Sequence, residues 1–110
     1  MAASSPTLSV IVPVKDEEEA IWPFVDRVAA ILDGLLPSVD GQAGWEILFI
    51  DDGSEDLTLA AILQAHQADP RVRAISLSRN FGKEAALTAG LDFAAGQAVI
   101  PIDVDLQDPK

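Results

Sequence analysis

The chain has 110 residues, 49% of them hydrophobic, with no cysteine and a formal net charge of −11. That size and apolar content allow one modest domain with its own core, and no run approaches the twenty apolar residues of a membrane span. The lack of cysteine excludes disulfides, thiolate metal sites and cysteine nucleophiles and suits a cytoplasmic chain, while an acidic surface without a basic stripe argues against nucleic acid as a partner.

The opening "MAASSPT" lacks the basic start and apolar stretch of a secretory signal, so residues 1–7 are expected to be a disordered lead-in. "LSVIVPV" is apolar and β-branched, the pattern of a strand covered on both faces. After the polar turn "KDEEEA", the residues Ile21, Phe24, Val25, Val28, Ile31, Leu32 and Leu35 recur at helical spacing. Pro23 fits only in the first turn, which places the helix start near Trp22. "PSVDGQAG" is a loop, and "WEILFID" is a second buried strand. "DGSED" follows, with Ser54 or Asp56 as the expected N-cap of a helix marked by Leu59, Ile62, Leu63 and His66. "VRAISLS" is a third strand. "RNFG" turns into the helix "KEAALTAGLDFAA", with Gly96 as its C-cap, and "AVIPID" is a fourth strand. His66 is read as a surface or boundary residue, and Trp22 and Trp45 as packing residues.

Four apolar strands alternating with three helices predict an α/β fold, a three-layer parallel sheet with helices on both faces and right-handed crossovers. Ligands of such sheets bind beyond the carboxyl ends of the strands. The unusual residues gather there: "KDEEE", "DDGS", "RNFGK" and "DVDLQD". Asp103 and Asp105 point the same way if the chain is still extended, and Gln107 follows them. Two carboxylates on one face suit a divalent cation with oxygen ligands, Mg²⁺ or Mn²⁺, completed by substrate phosphates; the alternative is a solvated acidic turn. Asp51 and Asp52 precede Gly53, where one carboxylate can take a base or ribose and the other can cap the next helix. Gly82 and Lys83 open a helix whose free N–H groups favour a phosphate. No Walker loop occurs, and the glycine-free first turn argues against NAD(P). A receiver-type signalling domain would need an aspartate at the end of the third strand, and "ISLSRN" offers none.

Together "SVIVPVKDEEE", "EILFIDDGSEDLT", "ISLSRNFGKEAALTAGLDFAAG" and "VIPIDVDLQDP" resemble the N-terminal half of a family 2 glycosyltransferase of GT-A fold, closest to the polyprenyl-phosphate sugar transferases. The resemblance runs from Leu8 to Pro109. It implies a Rossmann-like nucleotide-binding half, metal-assisted transfer of a sugar with inversion, a nucleotide-sugar donor linked to UDP or GDP, and a polyprenyl-phosphate acceptor. Asp103 and Asp105 would be the catalytic pair, holding the cation together with Gln107. Asp51 would contact the base, with Asp52 nearby, and the turn from Pro13 and Val14 through Glu17 would line the nucleoside pocket. The family often has an aromatic residue and asparagine where this chain has Lys15 and Asp16, so the resemblance there extends to backbone contacts with the base more readily than to side-chain ones. A phosphate acceptor is already anionic and needs little help from a general base; a sugar hydroxyl would need one. Residues 8–110 are therefore expected to be a nucleotide-sugar-binding domain truncated before its acceptor half, inactive alone, with membrane association only through missing C-terminal segments. Self-association through the exposed edge of the fourth strand is also expected. The alternatives are a saccharide acceptor or a noncatalytic self-associating module.

Overall fold

The computed structural model describes residues 5–105. Its elements run β1 (Leu8–Val14), α1 (Ile21–Leu35), β2 (Trp45–Asp51), α2 (Thr58–Ala68), β3 (Val72–Ser76), α3 (Lys83–Phe93) and β4 (Ala98–Pro101). The four strands form one sheet in the order β3-β2-β1-β4, and every pairing is parallel. β1 and β2 are central and buried on both faces, which is why they read as continuous apolar runs instead of alternating ones. Thr7, placed in the lead-in by the sequence, already pairs through its N–H with Gly44 and through its carbonyl with Ala98.

Alternation along the strands divides the core in two. Val10, Val12, Val14, Trp45, Ile47 and Phe49 meet α1 and α2 through Phe24, Val25, Val28, Leu32, Ile62 and Ala65, with Phe24 set edge-on to Phe49. Ile11, Leu48 and Ile50 meet α3 at Ala86. The helices thus lie on both faces, two against one. Gly90 seats α3 closely, since a Cβ there would come within 2.8 Å of Ile50 Cδ1.

Several local expectations shift. Ile31 and Leu35 of α1 are exposed, so its buried stripe is narrower than the apolar pattern. α2 turns Thr58, Ile62 and Ala65 inward, while Leu63 faces solvent. The N-cap position of α2 is Leu57; Asp56 instead accepts from the Thr58 N–H at 2.8 Å one residue further out. Gly96 is not the C-cap of α3, which is Ala94. Its missing side chain lets the loop approach β1, where its N–H donates to Ser9 Oγ at 2.8 Å and a Cβ would lie 2.6 Å from the Ser9 nitrogen. Trp45 is fully buried, donating to Asp33 under the Arg71 guanidinium, which stacks 3.9 Å from the ring centroid. Trp22, by contrast, stands exposed. His66 Nδ1 donates to the Val72 carbonyl at 2.6 Å.

One buried charge sits on the α3 face. Glu46 Oε2 accepts from Ser9 Oγ at 2.5 Å and from the Ala95 N–H at 2.7 Å, and Oε1 meets Arg73 at 2.7 Å. Burial alone would raise its carboxyl, but these hydrogen bonds together hold it below the ordinary glutamate range. A depressed carboxyl contributes stability that is complete at neutral pH and is lost as the pH falls through the folded-state value. Glu46→Gln is expected to cost roughly 1–2 kcal/mol at pH 7, with the difference from wild type shrinking in urea titrations below about pH 4.

Candidate functional site

At the carboxyl ends of the strands a cleft of about 460 Å³ is lined by Pro13, Val14, Lys15, Glu17, Asp52, Asn80, Gly82, Lys83, Asp103, Val104 and Asp105. A recess of about 260 Å³ continues between Pro101 and Leu87, sharing Pro13, Lys83 and Asp103 with it. The sheet thus gathers the turn after β1, the turn after β2, the start of α3 and the exit from β4 around one volume. Gln107 lies outside the described residues. Lys15 lies within the turn from Pro13 through Glu17 that the sequence places at the pocket, while Asn80 and Val104 are additions: Asn80 sits inside "RNFG" but its type carried no distinguishing chemistry.

Asp51 and Asp52 are placed differently. Asp51 does not line the cleft. Its carboxylate is buried and accepts from the Ser54 N–H at 3.2 Å, closing the turn after β2. Neighbouring residues at a strand end face opposite sides, and of the two it is Asp52 that lines the cleft. Asp52 is itself buried. Its Oδ1 accepts from the Phe81 N–H at 2.8 Å and its Oδ2 from the Gly82 N–H at 3.0 Å. The Gly82 N–H, expected to be free for a phosphate, is therefore already occupied. Gly82 has φ 102° and ψ 161°, a conformation essentially restricted to glycine. Gly53 has φ 75°, and a Cβ there would collide with the backbone of Arg79 and Asn80. The two turns touch backbone to backbone.

The acidic turn after β1 spends its carboxylates on hydrogen bonds. Asp16 adopts φ 53°. Its N–H donates to Ser54 Oγ at 2.8 Å, and its Oδ1 accepts from the Glu55 N–H at 2.7 Å. The Glu17 N–H donates to Thr58 Oγ1 at 2.7 Å, and Glu18 Oε1 accepts from the Leu57 N–H at 3.2 Å. Lys15 Nζ reaches Asp16 Oδ2 at 2.9 Å. The bond from Lys15 and that from the Glu55 N–H hold the Asp16 carboxyl below its ordinary value.

Glu17, Asp103 and Asp105 face one another across the cleft. The Glu17 carboxyl is pushed up by its own burial, and further by the charges of Asp105 and Asp103. Asp103 and Asp105 do not alternate along a strand: β4 ends at Pro101, and a turn begins at Val104. Val104 is buried in the α1/α2 core and anchors the two exposed carboxylates on either side of it. Asp103 Oδ1 also accepts from Lys83 Nζ at 3.1 Å. Among the described residues no three acidic or histidine side chains form a metal cage on their own. Two carboxylates at the mouth of an acidic cleft do fit Mg²⁺ or Mn²⁺, which are completed by water and substrate phosphate oxygens.

A parallel sheet with this cleft at its carboxyl rim is the GT-A architecture of glycosyltransferases. The mannosyltransferase PcManGT from Pyrobaculum calidifontis, solved in complex with GDP-Man and Mn²⁺, superimposes with a TM-score of 0.73 at 24% identity, covering 97% of this chain and 30% of that one. S. aureus TarS 1–349 in complex with UDP-GlcNAc gives 0.72 at 25% identity, covering 90% and 26%. The family model for glycosyl transferase family 2 matches residues 9–110, and the chain belongs to that family. It is 51% identical to the bactoprenol glucosyl transferase of Shigella phage SfV over 93% of this chain and 31% of that protein. It is 39% identical to the undecaprenyl-phosphate 4-deoxy-4-formamido-L-arabinose transferase of Salmonella paratyphi A, over 98% and 32%. The chain thus spans about a third of the length of these curated relatives. No helix among the described residues is long and apolar enough to cross a membrane.

Proposed function

We propose that this chain is the donor- and metal-binding part of an inverting glycosyltransferase that moves a sugar from a nucleoside diphosphate-sugar to a polyprenyl phosphate. The observation that carries the reading is the cleft itself, which brings Asp103, Asp105, Lys83, Glu17 and Asp52 together at the carboxyl rim. The bactoprenol and undecaprenyl-phosphate transferases among its relatives support the acceptor class.

In this reading Asp103 and Asp105 hold a divalent cation with the donor diphosphate, joined by Gln107. Pro13, Val14, Lys15 and Glu17 line the nucleoside side. Asp52 acts through the turn it holds, keeping Gly82 and Lys83 against the phosphates. Transfer joins an acceptor phosphate oxygen to the anomeric carbon as that carbon's bond to the donor phosphate breaks, and the electron pair leaves with the nucleoside diphosphate. The cation supplies charge stabilisation for that leaving group. Lys83 adds a second positive charge from the protein, and the acceptor needs no proton removed.

Calorimetry on the chain with UDP- and GDP-sugars, with and without Mn²⁺, tests the donor site. Mn²⁺-dependent binding of one of them is expected, and no binding under any of these conditions would overturn the reading. Acceptor class is tested on the complete protein by offering a polyprenyl phosphate and a free saccharide in parallel. Transfer to the saccharide alone would replace the lipid acceptor.

A further inference from the structure

Lys83 shares its described partner, Asp103, with the proposed cation. Its Nζ lies 3.1 Å from Asp103 Oδ1, and the two side chains are 64% and 72% exposed. Such a pair is weak and easily broken. The backbone of Lys83 is nevertheless fixed, because it follows Gly82, whose N–H is held by the buried Asp52 carboxylate. A long flexible ammonium thus swings from a rigid base, with a carboxylate on one side and the cleft on the other.

We infer that Lys83 is an exchangeable counter-ion. It neutralises Asp103 in the ligand-free protein, yields that carboxylate to the divalent cation, and then turns its ammonium onto the donor diphosphate. The inference rests on the metal reading above. An ammonium and a divalent cation on one carboxylate repel each other, so Lys83 opposes the metal when it arrives alone. A diphosphate brings negative charge that takes both cations, and charge-assisted hydrogen bonds to phosphate exceed an exposed ion pair in strength. The same lysine therefore weakens one binding step and strengthens the next.

The test is to measure Mn²⁺ uptake without nucleotide, from the free-ion paramagnetic resonance signal, and then UDP and GDP affinity at saturating Mn²⁺. Lys83→Met is expected to bind Mn²⁺ alone about two- to fivefold more tightly and to bind the diphosphate with Mn²⁺ about tenfold more weakly. Lys83→Arg, which keeps the charge, should restore both values toward wild type, and Asp103→Asn should abolish Mn²⁺ uptake. A residue with only a structural role would not move the two affinities in opposite directions. If Asp103→Asn abolishes uptake while Lys83→Met leaves Mn²⁺ affinity unchanged or lower, the exchange is wrong and the metal reading stands. If neither wild type nor Lys83→Met takes up Mn²⁺ without nucleotide, the exchange is wrong and the metal reading is decided by the nucleotide titration; if Asp103→Asn binds Mn²⁺ as well as wild type, both fall together.

Discussion

Asp103→Asn is expected to reduce Mn²⁺-dependent nucleotide-sugar affinity by about 100-fold or more. The amide keeps the shape of the side chain and removes its charge, so what is lost is the electrostatic hold on a divalent cation. The structural cost is small. Asp103 is largely exposed and forms a weak ion pair with Lys83. Val104, not Asp103, supplies the burial that anchors this segment. Thermal unfolding of the variant should therefore match wild type, and calorimetry should show the loss only when Mn²⁺ is present. A comparable loss in metal-free buffer would mean that Asp103 meets the nucleotide directly.

Asp52→Ala should act through stability. The buried carboxylate accepts two backbone N–H groups, from Phe81 and Gly82, and each such bond to a charged group contributes about 1.5–3 kcal/mol. Truncation removes the acceptor of both donors in a part-buried turn that water reaches from the side of Phe81 and Gly82. The expected cost is roughly 2–4 kcal/mol, a large share of the stability of a domain this size. Urea unfolding measures it directly. Because the same turn presents Lys83, nucleotide affinity should fall even at temperatures where the variant is still folded. Asp52→Asn retains one acceptor oxygen and should lose about half as much.

The fold was readable because β1 and β2 are apolar on both faces, leaving only a parallel sheet sandwiched between helices as a way to bury them. Both strands start and stop where the residue pattern places them. That same two-sided burial hid the difference between Asp51 and Asp52. A strand buried on both faces carries no alternation in its sequence, so nothing along "WEILFID" says which carboxylate turns toward α3. The hydrogen bonds of Asp52 run to residues 29 and 30 positions away, beyond the reach of any local pattern. The phase of α2 failed for a related reason. Its apolar residues are spread around the helix, and burial of the small residues Thr58 and Ala65 is decided by how closely it packs on the sheet. Gly96 is a glycine needed for proximity to Ser9, which looks the same in sequence as one needed for a helix end. The grouping of turn residues at one rim was legible because parallel connectivity forces it.

The reciprocal hydrogen bonds between the turns after β1 and β2 divide the cleft mechanically. One jaw is built from two loops laced together at Asp16, Glu17, Glu18, Ser54, Glu55, Leu57 and Thr58, and it stands on the two longest strands of the sheet. The opposing jaw, carrying Asp103 and Asp105, hangs from β4, which pairs over four residues with β1 alone. The first jaw is tied by hydrogen bonds between two loops, and the second is held by β4 and by Val104 in the α1/α2 core. In the proposed reading, the end of the donor that lies against the laced loops therefore meets the more extensively bonded part of the cleft.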